Sequence, residues 1–435
     1  MNNIAAAVSA YAGLALGLFA ALGSAFGGGD ARVLISCFVS AALVAHLFGG
    51  AITSTYVGIP AEDVVSVLPA HRLAKAGLGP KAVQSSADGS FVGVLIGVAA
   101  ILPVCVLMGN PIGLYSILRT VMLPIVLFLS ALLVLSEGFP SLSLRHRTPH
   151  PFVKISMALT VFLSAGALGY LVLDTNYYAA SVPDFPWIQR AFVSRSSLLL
   201  PMFAGLFGVP GLLLSLGSRS VLDLESDACV GQRGKVGFRD FCLSLLGGTI
   251  VGWLPGMTSG SAVTLCAPNV GELRTGNDIG GSLRFIWLYS SISACGAVMS
   301  VGALFVILRA RSGSMDAIAY FMGNELTSDS LVSNMSPIAA ILLSILVSAI
   351  ASRWLLSSLR DLLGKARSFL CSRQLSIGSL FFVAALSLGL TGSRGALLMA
   401  TATSLGLVVP LIGVRRIQLM GCLLVPIAIL LVRQL

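Results

Sequence analysis

The chain has 435 residues, is 56% hydrophobic and only 10% charged, and carries 27 Lys+Arg against 17 Asp+Glu for a net charge of +10. A soluble globular domain carries roughly 25% charged residues, so this composition excludes an ordinary soluble enzyme and reads as an integral membrane protein with many spans. The positive excess fits cytoplasmic loops that hold the orientation. With no basic-aromatic cluster in the sequence, nucleic acid is not expected as a partner.

Apolar windows near the ~20 residues needed to cross a bilayer fall at 4–26, 33–57, 90–109, 113–136, 152–173, 197–216, 238–255, 282–308, 336–357, 375–392, 395–412 and 416–432. The N-terminal run lacks a basic start and is longer than a signal-peptide core, so it reads as an uncleaved first span. It ends in the small residues around Gly23 and Ser24. The segment TSTYVGIPAEDVVSVLPAHRLAKAGLGPKAV at 53–83 follows the second span. Glu62 and Asp63 come just after Pro60, where acidic groups favour a helix start. Pro69 is expected to interrupt that helix after two turns, and Gly77-Leu78-Gly79-Pro80 to end it. Either this is a capped interfacial helix, or Thr53, Ser54 and the backbone near Pro60 line a cavity. The 197–216 run, with Pro201 and FGVPGLL at 207–213, suggests two half-helices, and TGSRG at 391–395 a tight turn between two spans.

The most informative break is GWLPGMTSGSA at 252–262. Pro, Gly and Ser are poor helix formers. A broken helix at membrane depth is tolerated only where it is buried in protein or lines a wet cavity. Secondary transporters build substrate and ion sites from such breaks near the midplane. A helix N-terminus there offers N–H groups and partial positive charge to an anion. Hydroxyls add donors without fixed charge. Pro255, Gly256, Thr258, Ser259, Gly260, Ser261 and Thr264 therefore form the expected site, joined by Thr53, Ser54 and Pro60. Ser and Thr in membrane helices also simply back-bond to their own carbonyls. Gly23 and Ser24 would supply the counterpart from the first half, because GLFAALGSAFGGGD at 17–30 can be laid on 252–262. Asn269, Glu62 and Asp63 are secondary candidates. So are Arg119 and Arg284, since a charge at membrane depth is a functional candidate unless it snorkels to an interface.

The expected fold is an all-α polytopic plasma-membrane protein of about 10–13 transmembrane helices with broken or re-entrant helices in two inverted repeats, 1–190 and 191–435. Basic loops at 144–154, 217–240, 353–373 and 415–416 should face the cytoplasm. The eight cysteines are scattered without CxxC spacing, and no metal-ligand spacing occurs, so no metal site is expected and the only cofactor would be a coupling ion such as Na⁺. No Walker A loop is present.

At this point the residues resemble a family. The run GIPAEDVVSVLPAHRLAKAGLGPKAV, through Gly58, Pro60, Glu62, Lys75, Gly77 and Pro80, is similar to a segment of the large membrane subunit of tripartite tricarboxylate transporters. GTIVGWLPGMTSG at 248–260 resembles that family's second G-x-L-P-G loop. EDVVSVLPAHR at 62–72, FGVPGLL, ARSGS at 310–314 and GVRRIQLMGCLLVP at 413–426 look closer still to an archaeal-type branch of permeases. Where the family's first loop carries Pro-Gly, this chain has Ala20-Ala21, and it is shorter than the usual large subunit.

The resemblance implies a secondary transporter that moves a small organic anion, such as a di- or tricarboxylate, on a Na⁺ or H⁺ gradient. It also implies a small membrane subunit and an extracytoplasmic solute receptor as partners, alongside membrane lipids and self-association. The alternative cargo is a polyprenyl-phosphate or other anionic lipid, with Arg119 or Arg284 at the headgroup. An intramembrane enzyme would need paired acids or a nucleophile with a base at depth, and the spans offer little beyond His46.

Overall fold

The computed structural model describes residues 31–57, 67–109, 112–138, 150–173, 198–217, 236–266, 279–308, 310, 312–322, 335–359, 362 and 373–433. Every regular element among them is helical. Among the described residues six helices are long and apolar enough to cross a membrane. They are Arg32–Tyr56, Gly79–Met108, Phe152–Val172, Ile279–Ile307, Ser336–Ser358 and Thr391–Leu411. The pair Leu114–Thr120 and Met122–Gly138, bent by 69°, makes a seventh when counted as one span. The expected first span and the loop at 17–30 lie outside the described residues.

The helices pack as two cores. The first gathers α1 (Ala31–Ile52), α3 (Gly79–Met108), α11 (Ile279–Ile307), α12 (Gly313–Met322) and α13 (Met335–Ser358). The short α2 (Val67–Lys75) braces α3, and α9 (Phe238–Trp253) lies along α11. α11 is the spine, 83% buried in its most apolar window. It runs so close to α3 that a Cβ at Gly89 or Gly93 would collide with the carbonyls of Trp287 and Ser291. With no hydrophobic drive between helices in lipid, such backbone proximity is how membrane helices gain packing energy.

The second core gathers α5 (Met122–Leu135), α6 (Pro151–Leu173), α14 (Arg373–Leu411), α15 (Gly421–Val432) and one further unit. That unit is α7 (Leu199–Phe203), a π-helical turn at Ala204–Gly208, and α8 (Val209–Gly217). Each core draws on both sides of residue 190. Among the described residues, contact between them runs through α4 (Leu114–Thr120), α5, α10 (Ser259–Cys266) and the turn at 254–256, which packs on α15.

Two local readings change. Pro69 lies in α2, and the run ahead of Val67, where the helix was expected to begin, lies outside the described residues. The end is as expected: Gly77 takes φ +85°, Leu78 N–H reaches the Leu73 carbonyl and Gly77 N–H that of Ala74, a Schellman close. Pro80 then starts α3, some ten residues ahead of the apolar window at 90–109, because Gly and Ser at 85–93 pack against α11 rather than face lipid. The 197–216 run bulges through a π turn without parting into two helices. The TGSRG turn falls where expected: within α14 the helices Gln374–Gly389 and Thr391–Leu411 meet at a break, with Gly392 at φ 67° and ψ −165°.

Candidate functional site

The 252–262 segment is a break between α9 and α10. α9 ends at Trp253, and Leu254 is extended. Gly256 turns the chain at φ +73°, a conformation L side chains resist. A Cβ there would stand 2.7 Å from Ile427 Cδ1 and 3.1 Å from Leu424 Cδ2 of α15. Pro255 is half-buried in the same turn. Thr258 and Ser261 cap α10 reciprocally. Thr258 N–H donates to Ser261 Oγ at 2.9 Å, and Ser261 N–H to Thr258 Oγ1 at 3.3 Å. Thr264 back-bonds to the Gly260 carbonyl at 2.7 Å. Ser259, Gly260 and Ser261 are buried.

This break sits at the seam of the two cores. Trp253 belongs to the first core. Leu254 and Leu265 pack on the second, and Gly256 faces α15. The Tyr115 ring of α4 touches both cores and lies 6.4 Å from the Trp253 ring, tilted by 54°.

Thr53 and Ser54 lie elsewhere, where α1 loosens into a π-helical turn at Thr53–Val57. Thr53 Oγ1 donates to the Gly50 carbonyl at 2.9 Å and Ser54 Oγ to that of Ala51 at 3.2 Å. His71 Nδ1 of α2 donates to the Thr55 carbonyl at 3.1 Å. Ser54 lines a small, partly open cavity between α1, α2, α3 and α11. Residues 255–261 are not in its wall. Four lining serines escaped the sequence reading: Ser86 and Ser90 on α3, Ser290 and Ser293 on α11. Ser86 Oγ and Ser290 Oγ share a hydrogen bond of 2.7 Å. Their spacings, i,i+4 and i,i+3, put each pair on one helix face and were a readable signal.

The two regions flank the same stretch of α11. Tyr289 packs in a group with Ala262 and Val263 of α10, and it also lines the cavity.

Arg284 is tied to a partner that the sequence reading passed over. Its Nη2 donates to Asp240 Oδ1 at 2.7 Å and its Nε to both carboxylate oxygens at 3.1 and 3.2 Å. Asp240 is fully buried in the first turn of α9 and also accepts the Gly237 N–H at 2.9 Å. Arg119 is exposed at the end of α4. Glu137 is buried and takes Arg415 Nε at 3.1 Å and Gln418 Nε2 at 3.3 Å. His46 is exposed on α1. Gly23, Ser24, Pro60, Glu62, Asp63 and Asn269 lie outside the described residues. Among the described residues no three His, Cys, Asp or Glu side chains group to hold a metal.

Long apolar helices, two packed cores and a broken helix at their seam define a multi-pass helical protein of the membrane. The family model described as "Tripartite tricarboxylate transporter TctA family" matches residues 5–421. The chain belongs to that family and is a multi-pass plasma-membrane protein, a component of a secondary transport system. No curated protein and no solved structure matches it.

Proposed function

We propose that this chain is the permease subunit that carries a small organic anion, a di- or tricarboxylate, across the plasma membrane, driven by a Na⁺ or H⁺ gradient. Its partners in this reading are a small membrane subunit and an extracytoplasmic solute receptor. The observation that carries the reading is the Pro255–Ser261 break at the seam between two separately packed cores. A broken helix at such a seam changes its exposure when the cores shift, which is what alternating access requires. The N-terminal turn of α10 brings partial positive charge to the same place. Thr258 and Ser261 fix the shape of that turn, and Pro255, Gly256, Ser259 and Gly260 bring backbone close to the anion. Thr53 and Ser54 act from the far side of α11.

The lipid-phosphate reading asks for Arg119 or Arg284 at a headgroup. Arg284 is committed to Asp240, so we favour a water-soluble anion. The test is gradient-driven uptake of labelled citrate into vesicles holding the full system. Uptake should need this chain and fall when Pro255, Gly256 and Ser259 are replaced together.

A further inference from the structure

We propose that α4 is a strap that closes the 254–258 break from the extracytoplasmic side, with Tyr115 held on Trp253 as its catch. The inference rests on the transport reading and gives it an outer gate. Three helices running the same way set the direction. α9 and α11 lie side by side, with Asp240 on Arg284 at one end and Gly252 against Met299 at the other. α3 keeps that direction, with Gly89 at Trp287 and Cys105 at Gly302. The basic loop 217–240, which leads into α9, is read as cytoplasmic. Trp253 at the end of α9 and Gly109 just past α3 therefore lie toward the outer face.

α4 lies on that side and crosses the seam, joining α3 of the first core to α5 of the second. Its inward side carries Tyr115, which packs on both cores, and Leu118, which packs on the second. Tyr115 is half-buried, and the Trp253 ring it meets is 1% exposed. The other side leaves Ile117, Arg119 and Thr120 exposed, and an exposed arginine suits the water interface, not the lipid core. Both ends of α4 are built to bend. Gly113 ahead of it takes φ +65°, and Val121 behind it leaves helical dihedrals where α4 and α5 meet at 69°. Hinges are element-terminal residues of this kind. A shift of one core against the other changes the seam that Tyr115 spans, so the catch parts with the motion that exposes the break. One aromatic contact is weak enough to part in every transport cycle.

The test needs no transported solute. Leu254→Cys is placed in the full-length chain in membrane vesicles, and a membrane-impermeant maleimide is added from one face. The label is located by peptide mass, so the native cysteines stay. From the outer face, in right-side-out vesicles, labelling should be slow with Tyr115 present. It should be roughly tenfold faster in Tyr115→Ala, the scale of one lost aromatic contact. Tyr115→Phe, which keeps the ring, should label as slowly as Tyr115. From the cytoplasmic face, in inverted vesicles, Tyr115→Ala should change nothing. A rate indifferent to Tyr115→Ala, or one raised from the cytoplasmic face, overturns the strap. Thr258→Cys replaces Leu254→Cys, and Tyr115→Leu replaces Tyr115→Ala, where the first variant does not fold. Citrate uptake by the full system is measured in parallel. Labelling that depends on Tyr115 without any uptake supports the strap and counts against the anion reading. Uptake with labelling indifferent to Tyr115 overturns the strap alone.

Discussion

Arg284 and Asp240 stand 44 residues apart in sequence, yet the guanidinium grips the carboxylate through Nη2 at 2.7 Å and through Nε. The pair pins the start of α9 to α11 and so fixes where the 254–258 break falls at the other end of α9. Asp240 is fully buried while the Arg284 side chain is 32% exposed.

Removing Arg284 leaves a buried carboxylate without its partner. Arg284→Ala should cost about 3 kcal/mol, the low end for a broken buried pair, because Arg284 still meets solvent. The double variant Arg284→Gln/Asp240→Asn should recover most of that loss. Thermal unfolding of the purified chain measures both. A double variant as unstable as Arg284→Ala would remove the pair from the account.

Gly93→Val should disrupt the α3–α11 contact, since its side chain meets the Ser291 backbone and not a movable side-chain tip. The cost should reach the upper end of overpacking, about 3 kcal/mol or more. Gly378→Ala, which meets nothing within 4 Å, is the control and should be neutral. Yield of monodisperse protein and unfolding temperature check the contrast.

Much of this architecture was legible in the sequence because lipid leaves few choices. A run of apolar residues near bilayer length must be a helix to satisfy its backbone. The windows from 33–57 to 416–432 accordingly fall on helices, and Gly256, Gly77 and Gly392 mark turns because they alone take positive φ cheaply there. What stayed hidden depends on contacts between distant segments. Asp240 stands at the end of a basic loop, 217–240, and nothing in the sequence pairs it with Arg284. The i,i+4 spacing of Ser86 and Ser90 marks a polar helix face, but only the fold brings Ser290 and Ser293 of α11 opposite. Apolar patterning is silent on such pairings, since every face of a membrane helix is apolar.

Thr258→Val should weaken α10 by about 1 kcal/mol, the usual value of an N-cap hydroxyl. Thr258→Ser, which keeps the oxygen, should restore it. If the cap shapes the anion turn, uptake should follow the same order: wild type and serine together, valine below them. Equal uptake in all three would confine the cap to stability.

Gly256→Ala should suffer twice, from positive φ at about 1–2 kcal/mol and from its approach to Ile427 and Leu424. Ile427→Ala in the same chain relieves only the second. Initial uptake rates should therefore rise part of the way back in the double variant. Full recovery would mean that the backbone turn at Gly256 carries no strain.

The most direct test of the account is citrate uptake into vesicles carrying the full transport system, with wild-type chain or with Pro255→Ala, Gly256→Ala and Ser259→Ala combined, at matched amounts of folded chain and below the unfolding temperature of both. The account predicts gradient-dependent uptake in the wild type and its loss in the triple variant. Uptake unchanged by the three substitutions would contradict the assignment of the break as the anion site.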